Sequence, residues 1–381
     1  MSLRKLRSIQ SYLSSKFVER EEIVDLLLIA LLSKKHLLLI SPPGTAKTAI
    51  VSEFASLITG LNYFQWQLGM FTTPDEVFGP VSLKGLENDQ YIRQVEGKMP
   101  AAELVFLDEI FKANSALLNS FLTAINERLF YNNGKALRIP LMTMIGASNE
   151  YPMEGEGLEA LYDRFQLRVE LGYIKSDRGF MTMLTGGLDH TPTPKPALTL
   201  KELSKMQQEV AKLPIHDTVL SSITSIRQEL YQQGIVISDR RYMQSVRLLQ
   251  AHAFLQGFKQ VTCDNLSVLI HSLWDKPEER DKISDVIRRY QNDTANKRID
   301  HIRAQIQEMS HQIQQLNGIE ISDAVSGLEV LNKVEKLNKD CKALDQMLRR
   351  EGIHEHDSVV KALSEWIDDT RKIVAAKVLK L

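Results

Sequence analysis

The stretch that most constrains the fold is Ser41-Pro-Pro-Gly-Thr-Ala-Lys-Thr48, which follows the continuous apolar run Leu37–Ile40 and precedes AIVSEFASLITG, an apolar pattern of helical period stopped by Gly60. A short apolar run, a turn rich in Pro and Gly, and then a helix make a strand–loop–helix unit, the context a phosphate-binding loop requires. The usual pattern G-x-x-x-x-G-K-[ST] is half met: Ser41 and Ala46 occupy the glycine positions, while Lys47 and Thr48 are in place. Such a loop works through successive backbone N–H groups and a helix N-terminus converging on anionic oxygens, so the side chains of its early positions matter less. Gly44 stands at its centre, Pro42-Pro43 stiffen its entry, and Ala46 adds one methyl group where the second glycine usually sits. Pro43, Gly44, Thr45 and Ala46 are therefore expected beside phosphates, with Lys47 reaching the terminal ones and Thr48 offering its hydroxyl to magnesium.

Two further apolar runs end in polar groups: Leu104–Ile110 carries Asp108-Glu109, and Leu141–Ala147 leads into Ser148-Asn149. Runs buried on both faces and separated by helical patterns predict a mainly parallel sheet covered by helices, an α/β architecture. Asp108 would then lie near the metal, and Glu109 would orient or deprotonate an attacking water. Asn149 is placed to hold the water or the terminal phosphate. Arg164 in LYDRF and Arg240-Arg241 in SDRRY are candidate cations for transition-state charge, although an isolated arginine is more often a surface residue. Asn132-Asn-Gly134 predicts a small hairpin.

The other segments set domain limits and exclusions. TPTPKP at 191–196 reads as a linker, Thr199 with Glu202 as a capping box, and Ser238 as a helix N-cap. Beyond Lys276, apolar residues step by three and four from Ile299 to Leu316 and from Val334 to Leu348, and a third amphipathic stretch runs from Val359 to Leu379, together predicting a three-helix bundle. With 43% hydrophobic and 25% charged residues and a net charge of -1, no global field draws the chain to nucleic acid or an acidic membrane. Cys263 and Cys341 lack the spacing of a disulfide framework or a zinc site, which favours a reducing cytoplasm. Leu26–Leu32 is too short to span a bilayer, and the first residues lack a signal-peptide pattern.

SPPGTAKT, LVFLDEI, GASNE, EALYDRF and SDRRY, in this order and spacing, resemble the AAA+ ATPases of the MoxR family. TTPDEVFGP, AAELVFLDEIFKAN and LLNSFLTAINER bring the likeness nearest to its RavA (regulatory ATPase variant A) branch, over roughly residues 5 to 275. The resemblance implies a P-loop AAA+ core at 1–190, an all-α lid at 197–276 and the C-terminal helical bundle at 277–381. It implies ATP and Mg2+ as cofactors, Lys47 and Thr48 as Walker A, Asp108 and Glu109 as Walker B, and Asn149 as sensor 1. Arg164 would be the arginine finger for the neighbouring subunit and Arg240 sensor 2, with Arg241 as the alternative. Val18 and Glu19, in Phe17-Val-Glu-Arg20, would lie beside the adenine. Residues 70–100 would be the insert in helix 2, meeting the client. A homo-oligomeric ring, most often a hexamer, a protein client and a von Willebrand factor A domain partner follow by the same resemblance, with no nucleic acid and no membrane span. Two other readings share the core: a nucleotide-dependent scaffold or switch without useful turnover, and a DNA-acting AAA+ protein, which an appended basic motif would have favoured.

Overall fold

A computed structural model describes residues 2–152, 158–185, 195–291, 332, 334–343, 345–346 and 357–378. Its strands are β1 (Leu37–Ile40), β2 (Ile58–Thr59), β3 (Tyr63–Gln67), β4 (Leu104–Asp108), β5 (Leu129–Asn132), β6 (Lys135–Arg138), β7 (Thr143–Ser148), β8 (Leu167–Glu170) and β9 (Leu198–Thr199). Five of them form one sheet in the order β3-β4-β7-β1-β8. Every pairing in it is parallel. The three expected apolar runs occupy the centre, because LLLI, LVFL and TMIGA are buried on both faces. Two ends are trimmed relative to the sequence reading. Glu109 leaves β4 in a left-handed conformation (φ 53°), and β7 begins at Thr143 rather than Leu141.

The helices of the first part of the chain are α1 (Ser2–Lys16), α2 (Glu21–Ser33), α3 (Lys47–Ser56), α4 (Pro74–Phe78), α5 (Leu83–Leu86), α6 (Ser115–Glu127), α7 (Glu159–Arg164) and α8 (Asp177–Thr185). They are followed by α9 (Leu200–Ala211), α10 (Asp217–Gln232), α11 (Asp239–Gln256) and α12 (Arg280–Gln291). α2 packs on β1 and β8, and α9 and α11 pack in turn on α2, so that helix is a main seat of the later helices on the core. Both expected caps form. Thr199 and Glu202 make a reciprocal capping box, and the Ser238 hydroxyl accepts from the Arg241 N–H.

Asn132-Asn-Gly134 closes the antiparallel hairpin β5–β6. The hairpin is tied to the insert before it: Asn132 Oδ1 accepts from Arg93 N at 2.8 Å and Asn133 Oδ1 from Tyr91 N at 3.1 Å. Together they present Met70, Phe71, Leu83, Tyr91 and Tyr131 to solvent, with Phe71 91% exposed.

Contacts divide the chain into two units, Met1–Arg288 and Arg289–Leu381. The division falls later than Lys276, where the sequence changes character, because α12 buries Ile283, Val286 and Ile287 within the first unit. In the second unit, 334–343 and Asp357–Val378 are helical and bury Val334, Leu337, Cys341, Val360 and Ile367. The expected stripe from Ile299 to Leu316, Leu344, Leu348 and positions 191–194 of the linker lie outside the described residues.

Gly146 in β7 marks where the sheet meets the segment that carries Arg164. A Cβ there would stand 2.8 Å from Phe165 Cζ and 3.2 Å from Ile110 Cδ1. Gly146→Val should therefore cost about 1–3 kcal/mol through overpacking. Urea denaturation should show a lower midpoint with an unchanged slope.

Candidate nucleotide site

Strand register assembles the site. Ile40 of β1 pairs with Ser148 of β7, so the loop that leaves β1 emerges beside Asn149, and β4 delivers Asp108 on the other flank of β7. Open parallel sheets bind ligands at this carboxyl edge. The loop backbone has the turns that its sequence lacks glycines to announce. Gly44 adopts φ 81°, and Ala46 takes a left-handed φ of 64° immediately before α3. The methyl group at Ala46 does not prevent the turn; it makes the turn more costly than glycine would.

Side chains then join the three strand ends. Lys47 Nζ donates to Asn149 Oδ1 at 2.6 Å and to Ser41 O at 3.2 Å, and Asn149 Nδ2 donates to Glu109 Oε1 at 2.5 Å. Thr48 Oγ1 donates to Asp108 Oδ2 at 3.4 Å. Lys47 is 8% exposed, and burial lowers its pKa while Asp108 and Glu109 oppose that shift. Glu109 Oε2 is buried without a hydrogen bond, and Lys112 Nζ, 3.2 Å away, is a charge neighbour lacking hydrogen-bond geometry. That orphaned oxygen is free to accept from a water.

Beside the loop lies a cleft of about 620 Å³, a volume within the range of roughly 300–1,000 Å³ for small-molecule sites. Gly44, Thr45 and Ala46 form one wall, and Phe17, Val18, Tyr173, Ile174, Phe180 and Met183 supply apolar surface. An apolar chamber walled on one side by the loop that leads into Lys47 suits a planar base whose phosphates lie along that loop. The hydroxyl of Thr48 and the carboxylate of Asp108 are hard oxygen donors, and two protein ligands are what a Mg2+ ion shared with substrate phosphates takes.

Around the cleft, several side chains have further partners. Val18 lines the cleft, but the Glu19 carboxylate accepts from Lys175 N at 2.7 Å and Ser176 N at 3.0 Å, at the start of α8. The Ser176 hydroxyl, which donates to Glu19 Oε1 at 2.5 Å, together with these backbone bonds holds its pKa at about 2. Pro43, like Lys47, Thr48 and Asp108, does not line this cleft. Arg20, unremarkable in sequence, donates to Thr45 O at 3.4 Å and to Gly172 O at 3.0 Å, fastening the loop to the segment after β8. Ser41 Oγ and Thr45 Oγ1 lie 2.8 Å apart, a hydroxyl pair that braces the loop where a glycine is usual. Neither contact has a sequence signal beyond the residue types.

The arginines separate into two kinds. Arg241 is 2% exposed and spends its guanidinium on Ser272 O at 2.7 Å, Asp163 O at 3.2 Å and Asp163 Oδ1 at 3.3 Å. Burial brings its pKa down to about 10. Its neighbour Arg240 is partly exposed and donates to Asn126 Oδ1 at 2.9 Å. Arg164 pairs with Asp163 at 3.0 Å, and its buried Nε has no partner. Arg164 and Arg240 share a cleft that contains none of Lys47, Thr48, Asp108 or Glu109.

Residues 4–208 match the family described as the MoxR domain of MoxR-vWA-beta-propeller ternary systems, and residues 218–287 match an AAA lid domain. The uncharacterized protein MJ0079 of Methanocaldococcus jannaschii is 34% identical over 97% of this chain and 95% of its own length. Chaperone MoxR1 of Mycobacterium tuberculosis is 26% identical over 55% of each chain. A crystal structure of a candidate ATPase from Cytophaga hutchinsonii superposes with a TM-score of 0.61 at 17% identity, covering 75% of this chain and 94% of that one, which is a likeness of fold. With the first match spanning more than half of the sequence, the chain belongs to the MoxR family of AAA+ ATPases.

Proposed function

We propose that this protein binds ATP with Mg2+ and hydrolyses it in a ring of identical subunits, using the cycle to remodel or assemble partner proteins. The observation that carries hydrolysis is the chain of bonds from Lys47 through Asn149 to Glu109, beside Thr48 and Asp108, at one edge of the sheet. In this reading, Lys47 holds the terminal phosphates, Thr48 and Asp108 hold the metal, and Glu109 takes a proton from the attacking water, which Asn149 aligns. Bound Mg2+ would supply neutralising charge at the phosphate oxygens.

Support for the ring comes from where Arg164 and Arg240 stand. Leu167, at the start of β8, pairs with Leu37, at the start of β1, and Arg164 comes just before it in sequence. The loop leaves the opposite end of β1, four residues away, which at about 3.3 Å per residue is roughly 13 Å. An arginine on the amino-terminal edge meets charge on a neighbour's nucleotide more readily than on its own, and a head-to-tail contact of this kind closes rings. Arg240, read as sensor 2, shares that edge, so both cations would act across the interface. Arg241, the alternative, is committed to the interior. Six subunits is the number the family resemblance suggests.

Support for a protein client comes from the exposed apolar side chains on the joined insert and hairpin. The family described for MoxR-vWA-beta-propeller systems supports a von Willebrand factor A domain partner, and the likeness to the RavA branch rests on the motifs between residues 72 and 128. A cytoplasmic location is part of the proposal; no helix of the described residues is long and apolar enough to cross a membrane.

Three outcomes test these assignments. Glu109→Gln should still bind ATP while turnover falls by roughly 100- to 10,000-fold, the usual range for a lost general base. Near-normal phosphate release by this variant would remove Glu109 from the chemistry. Arg164→Ala and Lys47→Ala should each be nearly inactive alone, yet regain activity when mixed, because an intact loop then meets an intact arginine on its neighbour. Lack of recovery in mixed assemblies would place the arginine in its own subunit's site. Finally, Ser41→Ala removes the brace on Thr45, worth about 1 kcal/mol, and should speed release of a fluorescent ATP analogue about fivefold in stopped flow.

A further inference from the structure

The cleft shared by Arg164 and Arg240 measures about 310 Å³ and lies at the amino-terminal edge of the sheet. Six cationic residues line it: Lys34 and Lys35 from the turn before β1, Arg128 after α6, Arg164 at the end of α7, and Arg240 and Arg247 from α11. Among the described residues, no carboxylate lines it. Only one of the six, Arg164, has an ion pair with a described carboxylate, that of Asp163. Natural surfaces intersperse the two signs of charge, and like charges gathered in a concavity repel unless an anion answers them.

The cations are held in place by the fold. Arg128 donates to Lys34 O and Met142 O, each at 3.1 Å, and sits 2.9 Å from Nε2 of the buried His36. Arg247 donates to Ala211 O at 2.8 Å and Gln250 Oε1 at 2.9 Å, and Arg240 is fixed by Asn126. The Arg164 Nε is a buried donor without an acceptor. Lys35 has lost much of its hydration, and the charges acting on it, Arg128, Arg247 and Arg240, are all positive, which brings its pKa down to about 8. Arginine forks match phosphate oxygens, and lysine adds a point charge. The volume lies at the low end of the range for ligand sites, enough for a phosphate chain with little room for a base.

We propose that this cleft is a second anion site, separate from the loop at Lys47, that binds an oligophosphate chain and uses Lys35 and Arg247 as well as the two arginines already considered. It does not depend on Arg164 acting in hydrolysis. A free oligophosphate and the terminal phosphates of a nucleotide held by another copy present the same chemistry to these groups, and the test separates them.

The probe is inorganic tripolyphosphate, titrated calorimetrically into the dilute full-length Lys47→Ala chain, in which the phosphate loop is disabled. Binding of one tripolyphosphate per chain is expected, with affinity falling steeply as salt is raised. Adding Lys35→Met, or separately Arg247→Met, should weaken it tenfold or more; the two substitutions lie on different elements, so the second decides if the first fails to fold. Repeating the titration on wild-type chain assembled with a non-hydrolysable ATP analogue separates the sources. Exclusion of tripolyphosphate there assigns the cleft to the neighbour's nucleotide, and retention assigns it to a free anion. No binding up to millimolar tripolyphosphate, or binding that ignores both substitutions, overturns the proposal. If Arg164→Ala still abolishes turnover in that case, the hydrolytic reading stands without a second site.

Discussion

Parallel, in-register pairing of β1 with β7 on one side and β8 on the other is the constraint from which the functional geography follows. Pairing Ile40 with Ser148 sets the phosphate loop beside Asn149, while pairing Leu37 with Leu167 sets His36 beside the segment that carries Arg164. Since all five strands run the same way, their ends sort chemistry into two edges: acids, Asn149 and the loop at one, and a group of cations at the other. A slip of one residue would invert the faces of LLLI and misalign both edges together. Burial on both sides of β1 resists that slip, because every one of its side chains is enclosed.

A second constraint joins the later helices to the cationic edge. Gln166 Nε2 donates to Ser272 Oγ at 2.7 Å and to Arg241 O at 3.0 Å. Arg168, wholly buried, bonds Trp274 O, Asp275 Oδ1 and Tyr162 O, and stacks on the Tyr162 ring at 3.8 Å. Removing two guanidinium groups from water is costly, and the hydrogen bonds of their terminal nitrogens offset that cost, although Arg168 Nε is buried without a partner. Its effect is positional. α11 carries Arg240 as well as Arg241, so locking Arg241 to Asp163 and Ser272 holds Arg240 in a fixed relation to Arg164. Two cations from distant parts of the sequence thus share one rigid frame.

Much of this was legible in the sequence where a single physical signal dominated. LLLI, LVFLD and TMIGAS read as strands because burial on both faces leaves an uninterrupted apolar run, and Thr199 with Glu202 read as a cap because both partners of the box are local. The outer strands β3, YFQWQ, and β8, LRVE, escaped notice because polar residues break their runs, and in β8 the polar residue is the buried Arg168, two of whose partners, Trp274 and Asp275, lie about a hundred positions away. Arg240 and Arg241 could not be told apart for a related reason. Neighbours on a helix point about 100° apart, and which one faces inward depends on what that helix packs against. The Ser41–Thr45 brace and the Arg20 contact to Thr45 were likewise hidden, since a motif records residue types and not the hydrogen bonds between them.

The Lys47–Asn149–Glu109 chain adds something that no listing of separate motif roles contains. Lys47 is costly to bury, and Ser41 O and Asn149 Oδ1 partly offset that cost. The same amide donates from Nδ2 to Glu109 Oε1, so an anion that drew the ammonium away would free the Oδ1 end of a group bonded to that carboxylate. In the proposed reading, Asn149 would be the side chain through which occupancy of the loop reaches the carboxylate proposed as base. Its amide suits that position: one end accepts from a cation while the other donates to an anion, which neither aspartate nor lysine can do. An asparagine at the end of the middle strand, between the loop strand and the acid strand, is thus accounted for by the sheet order itself.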